Sequence, residues 1–253
     1  MSKNIIIVTG ASSGMGREFV RQLDKVCPEN IDEFWLIARR KERLLELTKE
    51  VDHRCEILPY DLTDSTSIAK LAYKLKTQDC AVRILVNCAG FGLIGRFTEL
   101  SIDRQLEMID INCKAMVKLT YICLPYMKRN SRIINLASAA SFAPQPDFVI
   151  YAATKAFAES FNRALNRELY SRHIYVTSVC PGPVDTEFFD IAQVNQDSPA
   201  WKKIAMASAK KVVKKAICDS IKKKSISVYG LPMNAWRICS RAIPTDLLMH
   251  IYH

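Results

Sequence analysis

Short runs of β-branched and other apolar residues alternate with longer stretches of helical period along nearly all of the 253 residues, and this alternation leaves few folds open. Strands are expected near 4–9, 34–38, 55–59, 83–88, 132–137, 174–180 and 226–229. Helices are expected near 14–26, 41–50, 65–77, 101–128, 152–170 and 208–223, with a shorter one near 233–243. Parallel strands must be joined by a crossover, and a helix is the usual one. Right-handed crossovers wind such a series into a doubly wound sheet that binds ligands beyond the carboxyl ends of its strands, where the winding reverses. The expected fold is therefore α/β, with seven parallel strands in one sheet and helices on both faces.

Composition narrows the function classes. No Gly/Pro/Ser-rich linker, low-complexity segment or repeat divides residues 1–253, so one domain is expected. No apolar run approaches the roughly 18 residues that suggest a membrane span. The first strand begins almost at Met1, without the apolar stretch and cleavage site of a signal peptide. Nine cysteines, with no Cys-x-x-Cys pair, fit a reducing cytoplasm, and Cys88, Cys113, Cys123 and Cys180 fall in apolar segments where a thiol behaves as a small hydrophobe. His53, His173, His250 and His253 form no zinc spacing with them, so no metal is expected.

The net charge of +10 is local. Between Trp201 and Lys224 nine lysines stand against the single acid Asp219, interleaved with Ala205, Ala209, Val212, Val213, Ala216 and Ile217 at helical spacing. This pattern reads as an amphipathic helix with a solvated basic face and gives no nucleic-acid partner. An acidic partner, or an anionic lipid surface beneath this helix and the 231–253 tail, is the less favoured alternative.

The stretch Thr9-Gly-Ala-Ser-Ser-Gly-Met-Gly16 follows the first strand and opens the first helix. Its Gly10, Ser12, Ser13, Gly14, Met15 and Gly16 would let the backbone turn tightly and approach a pyrophosphate at the positive helix terminus. At the end of the second strand, where NAD enzymes carry an acid for the ribose, stands Ala38-Arg39-Arg40-Lys41. Arg39, helped by Arg40, is expected to bind a 2′-phosphate, which favours NADP(H) over NAD(H). Asp61 and Leu62 after the third strand, and Asn87, Ala89 and Gly90 after the fourth, would border the adenine and its ribose; Asp61 could equally be a helix cap.

Tyr151 and Lys155 are four apart in Tyr-Ala-Ala-Thr-Lys, thirteen residues after Ser138. That spacing stacks two side chains on one helix face. A neighbouring ammonium is expected to lower the phenol from its usual value of ~10 and make it an acid/base group.

Taken in order, Thr9-Gly-x-x-x-Gly-x-Gly16, Asp61, Asn87-x-Ala-Gly90, Asn112, Ser138, Tyr151-x-x-x-Lys155 and Pro181-Gly182 resemble the short-chain dehydrogenase/reductase family, in its classical subfamily. The resemblance covers almost the whole chain and implies a Rossmann-type domain. Met15 in place of the usual isoleucine or leucine, and Cys88 in place of alanine or asparagine, are slight departures. It implies hydride transfer between a nicotinamide and a carbonyl or alcohol carbon. Tyr151 would then be the proton donor or acceptor, Ser138 would hydrogen-bond the reacting oxygen, and Lys155 would lower the phenol and bind the nicotinamide ribose. Asn112 would position a water that relays protons from Lys155. Pro181, Gly182, Val184 and Thr186 would line the nicotinamide.

By the same resemblance residues 183–207, with Phe188, Phe189, Ile191, Trp201, Ile204 and Met206, would form a substrate lid; the tail 231–253 is read as closing the pocket. Phe142, Pro144, Pro146 and Phe148 add apolar surface, so an apolar carbonyl or alcohol substrate is expected, and a steroid, an acyl chain, an aromatic ketone or an alicyclic ketone would each fit. The helices near 101–128 and 152–170 are apolar over more than one stripe, which points to a homodimer or homotetramer. A chain that binds NADP(H) as a sensor or scaffold without turnover is the alternative.

Overall fold

The computed structural model describes residues 2–26, 30–192 and 206–250, with the side chains of 190, 191 and 250 excepted. Seven strands form one sheet: β1 (Lys3–Thr9), β2 (Glu33–Ile37), β3 (Cys55–Leu58), β4 (Cys80–Asn87), β5 (Met127–Leu136), β6 (Tyr175–Val179) and β9 (Ile226–Ser227). Their order is β3-β2-β1-β4-β5-β6-β9 and every pairing is parallel. The expected seven-stranded parallel sheet is the one present.

The four consecutive apolar residues Ile5–Val8 are fully buried because both faces of the sheet are covered. Alternation sorts them: Ile6 and Val8 join Phe34 and Leu36 on one face, while Ile5 and Ile7 join Trp35 and Ile37 on the other. Over the first face lie α1 (Gly14–Val26) with Phe19, Val20 and Leu23, α2 (Lys41–Thr48) with Leu44 and Leu47, and α8 (Ala209–Ile221) with Val212, Val213, Ala216 and Ile217. Over the second lie α3 (Ser65–Thr77), α5 (Met116–Cys123) and the end of α6 (Val149–Glu168). Winding reverses between β1 and β4, so the carboxyl ends of those two strands open a crevice between the halves.

Three elements depart from the expected boundaries. The long helix near 101–128 is α4 (Ile102–Ile109), a π-helical stretch Asp110–Ala115, and α5, closed by a 3₁₀ turn Leu124–Tyr126 that contains Pro125. Proline lacks the N–H that would continue the α-helix. β5 consequently begins at Met127, and its pairing with β4 shifts register between Val82 and Ile84 near Asn130, which has φ 68. The two-residue strands β7 (Val184–Asp185) and β8 (Ala207–Ser208) pair in a small second sheet that is too short to leave a periodic signal.

The basic segment is an amphipathic helix over its described part. Lys210, Lys211 and Lys214 are exposed, and Lys215 and Lys224 hold the buried Asp219 at 2.8 and 3.0 Å. Lys202, Lys203, Trp201 and Ile204 lie outside the described residues. Among the described residues no helix is long and apolar enough to cross a membrane, and no group of metal-ligating side chains is present.

Candidate active site

Glycine is required twice in the first turn. Gly10 has φ +66, and a Cβ there would stand 2.9 Å from the Ala89 backbone nitrogen. A Cβ on Gly16 would stand 2.2 Å from the Gly10 carbonyl oxygen, so only glycine lets α1 begin directly on the turn. Thr9 closes the base, its Oγ1 accepting from the N–H groups of Cys88 and Ala89 at 3.0 and 3.1 Å. Over this floor runs a groove of about 310 Å³ along the carboxyl ends of β1 to β4. The turn residues Gly10, Ser12, Ser13, Gly14, Met15 and Gly16 line it, as do Asp61 and Leu62, Ala89 and Gly90, and Thr186. A Cβ at Gly10 would intrude on its floor, and its N–H-bearing turn sits at a helix N-terminus, so the residues present fit a dinucleotide.

Arg39 and Arg40 close one end of the groove. Arg39 is two-thirds exposed and lies 3.6 Å from Glu107 and 4.0 Å from Asp61. Arg40 is held more firmly, donating to Ser13 Oγ at 2.8 Å and to Glu187 at 3.1 Å. It precedes α2 without a capping hydrogen bond. Glu187 supplies the counter-charge there. Asp61 accepts from Thr63 N and Oγ1 and does not cap α3; Asp64 does, accepting from Thr66 N and Ser67 N.

Asn87 takes a different place from the one its position suggested. Its amide turns beneath the sheet end and donates to Thr120 Oγ1 at 3.2 Å and Asn135 Oδ1 at 2.8 Å, leaving Cys88, Ala89 and Gly90 to face the groove. The Asn87–Asn135 bond continues to Asn162 and Ser178 as a buried amide chain across β4, β5, α6 and β6.

Behind Gly90 and Phe188, which line the groove, α6 presents Tyr151 and Lys155, both buried. Lys155 Nζ lies 5.6 Å from the centre of the Tyr151 ring and donates to the Leu136 carbonyl at 2.9 Å. Burial pushes the Tyr151 phenol up to about 12, with the Ser138 hydroxyl beside it pulling the other way. Burial also pulls the Lys155 ammonium down to about 8. The expected lowering of the phenol by Lys155 does not dominate here: taking the ring out of water raises the phenol, and the group that opposes this rise is the Ser138 hydroxyl. At neutral pH the phenol is a proton donor and the ammonium is mostly charged.

Ser138 follows β5 and accepts from Ala140 N at 3.1 Å, capping a 3₁₀ turn over Ala139–Phe142. Asn112 sits in the π-helical stretch, where such distortions often mark functional sites. Its Nδ2 donates to the Phe91 carbonyl at 2.9 Å and Thr154 Oγ1 at 3.1 Å, and its Oδ1 accepts from Phe91 N at 3.1 Å. A Cβ on Gly90 would be 2.4 Å from Asn112 Oδ1 and 3.7 Å from Lys155 Nζ, which places the two polar ends around one point.

Pro181 accepts from Ala139 N at 2.8 Å, and Gly182 lies under Met233, whose Sδ would be 2.6 Å from a Cβ there. Val184 is buried in β7. Phe148 stacks on Tyr151 at 4.2 Å between ring centres, and Phe188 lies 5.3 Å from it on the opposite chain segment. Arg104, Glu107 and Glu187 also border the groove, though periodicity and motif spacing gave no signal for them. Their places depend on contacts between distant segments.

A family model described as short chain dehydrogenase matches residues 4–197. The NADP-dependent 3-hydroxy acid dehydrogenase of Escherichia coli (strain K12) is 34% identical over 206 residues, 78% of this chain and 80% of the relative. Sulfoacetaldehyde reductase 2 of Chromohalobacter salexigens is 32% identical over 194 residues, covering 73% and 74% of the two chains. Among solved structures, a short-chain dehydrogenase from Sphingobium yanoikuyae in complex with NADPH superposes with a TM-score of 0.80 at 26% identity, covering 98% of this chain and 95% of that one.

Proposed function

The chain belongs to the short-chain dehydrogenase family, and on that premise we propose that it is an NADP(H)-dependent oxidoreductase acting on a carbonyl or secondary alcohol in a largely apolar substrate. The observation that supports this reading is that the groove holding Arg39 and Arg40 is also lined by Gly90 and Phe188: a Cβ on Gly90 would be 3.7 Å from Lys155 Nζ, and the Phe188 ring lies 5.3 Å from Tyr151. The nicotinamide, when bound, supplies or accepts the hydride. Gly10 to Gly16 would hold the pyrophosphate, Arg39, helped by Arg40, the 2′-phosphate, and Lys155 and Thr186 the nicotinamide end.

Tyr151 donates a proton to the carbonyl oxygen in reduction and recovers it in the reverse direction. A phenol raised to about 12 is loaded as an acid at neutral pH. Ser138 holds the same oxygen. Asn112 has both amide protons committed to Phe91 and Thr154, so a relay water near Lys155 is left one lone pair of its Oδ1 and the carbonyls of the π-helical stretch.

Phe148 and Phe188 beside Tyr151 support an apolar substrate. Ile102, Leu106, Ile109, Tyr121 and Phe157 are exposed on α4, α5 and α6, which supports a homodimer or homotetramer through those helices. The test of function is NADPH consumption with steroid, aliphatic and aromatic ketones beside 3-oxo acids and sulfoacetaldehyde. Fastest turnover on an uncharged ketone supports the reading, preference for the small acids overturns the substrate class, and no turnover on any carbonyl favours a sensor.

A further inference from the structure

Glu187 is 147 residues from Arg40 in sequence, yet its carboxylate is shared by two guanidinium groups at the groove's edge. Arg40 Nη1 stands at 3.1 Å, and Arg43 donates through a short charge-assisted bond. The other terminal nitrogen of Arg40 donates to Ser13 Oγ at 2.8 Å and Ser12 Oγ at 3.4 Å. Two guanidinium groups beside hydroxyls of a turn at a helix N-terminus make a phosphate site by their chemistry. Here the chain's own carboxylate sits in it.

Its neighbour in sequence, Phe188, covers Tyr151 from 5.3 Å and begins α7 (Phe188–Ala192), whose last carbonyl accepts from Ile94 N at 2.9 Å. A Cβ on Gly92 would fall 2.7 Å from the Phe188 ring and 2.9 Å from the Tyr151 ring, so nothing larger than glycine lets the two aromatics meet there. The anion at Arg40 is thus one residue from the cover of the phenol.

We propose that Glu187 is an internal competitor for the 2′-phosphate of the nucleotide: it occupies Arg40 and Arg43 until a phosphorylated ribose displaces it, and its departure frees Phe188 from Tyr151. The proposal rests on the NADP(H) reading above and names the residue that sharpens it. A phosphate brings more charge and more acceptor oxygens than a carboxylate, so it wins the guanidinium pair. A nucleotide without the 2′-phosphate has no group to displace Glu187 and leaves Phe188 in place. Glu187 therefore distinguishes the two cofactors through the position of the aromatic cover, while lowering the affinity for the phosphorylated one.

The test uses the full chain and Glu187→Gln. NADP⁺ and NAD⁺ binding is measured by calorimetry, and amide hydrogen exchange over Phe188–Ala192 is followed with and without adenosine 2′,5′-bisphosphate. Glu187→Gln is expected to bind NADP⁺ roughly three- to tenfold tighter with NAD⁺ affinity unchanged, the scale of one removed like charge at a partly exposed site. The bisphosphate should speed exchange over Phe188–Ala192 in the unsubstituted chain and have no further effect in the variant. An unsubstituted chain that prefers NADP⁺, with a variant that binds it no better or more weakly, overturns the role of Glu187 alone. Equal affinity of the unsubstituted chain for both nucleotides removes the NADP(H) reading and the proposal together.

Discussion

Lys155 carries a charge into a buried place where, among the described residues, its Nζ donates to the Leu136 carbonyl at 2.9 Å. Its depression to about 8 means that the folded state binds fewer protons than the unfolded state between about 8 and 10.5. Its contribution to stability therefore rises with pH across that window, and below it the full desolvation penalty is present. Lys155→Met should raise the melting temperature at pH ~7, by roughly 1 kcal/mol of stability after the loss of the Leu136 hydrogen bond, while catalysis disappears. A variant less stable than the parent would show that burial does not dominate the ammonium. Arg39 is the opposite case, exposed and loosely paired. Arg39→Asp should weaken NADPH binding about tenfold and NADH binding little, as read by titration; equal losses would remove Arg39 from the phosphate site.

Among the elements, the glycine turn between β1 and α1 is the least replaceable. A Cβ at Gly16 meets the Gly10 carbonyl oxygen at 2.2 Å, and that contact is with backbone, which has no flexible end to yield. Gly16→Ala should shift α1 away from the turn, lower the melting temperature by several degrees, about 1–3 kcal/mol, and abolish nucleotide binding. Normal binding would show that the turn is not the pyrophosphate cradle. This turn was legible because local chemistry sets it: Ile5–Val8 must be a doubly covered strand, and glycines must follow. The π-helical stretch at Asp110–Ala115 was not, since nothing in its composition breaks the helical period. Neither was the turning of Asn87 toward Asn135 or the meeting of Arg40 with Glu187, because both depend on which strands become neighbours. The motifs told which residues gather at the strand ends, while the burial that raises the Tyr151 phenol becomes visible only when the helices are packed.

For the whole molecule, acid sensitivity follows from carboxylates held low by their surroundings. Hydrogen bonds from Arg21 and Arg17 hold Glu50 down at about 2. Asp24 and Asp219 are also lowered, in both cases against an opposing desolvation that is the largest single influence: His53 and backbone N–H groups hold the first, Lys215, Lys224 and Ser227 the second. A group lowered in the folded state stabilises above its unfolded value and loses that contribution as pH falls through the folded one. The melting temperature should therefore hold to about pH 5 and fall steadily toward pH ~2. Salt should blunt the part due to the half-exposed Glu50 and leave the part due to Asp24 and Asp219. A flat profile over that range would contradict these pairings.

Everything in the functional account passes through the proton on Tyr151, which burial keeps in place at neutral pH. The direct measurement is kcat for ketone reduction by Tyr151→Phe, alongside its NADPH dissociation constant. The account predicts a fall in kcat of roughly 10²- to 10⁴-fold, the scale of a lost general acid, with the dissociation constant essentially unchanged. Turnover close to that of the unsubstituted chain, with NADPH still bound, would contradict it.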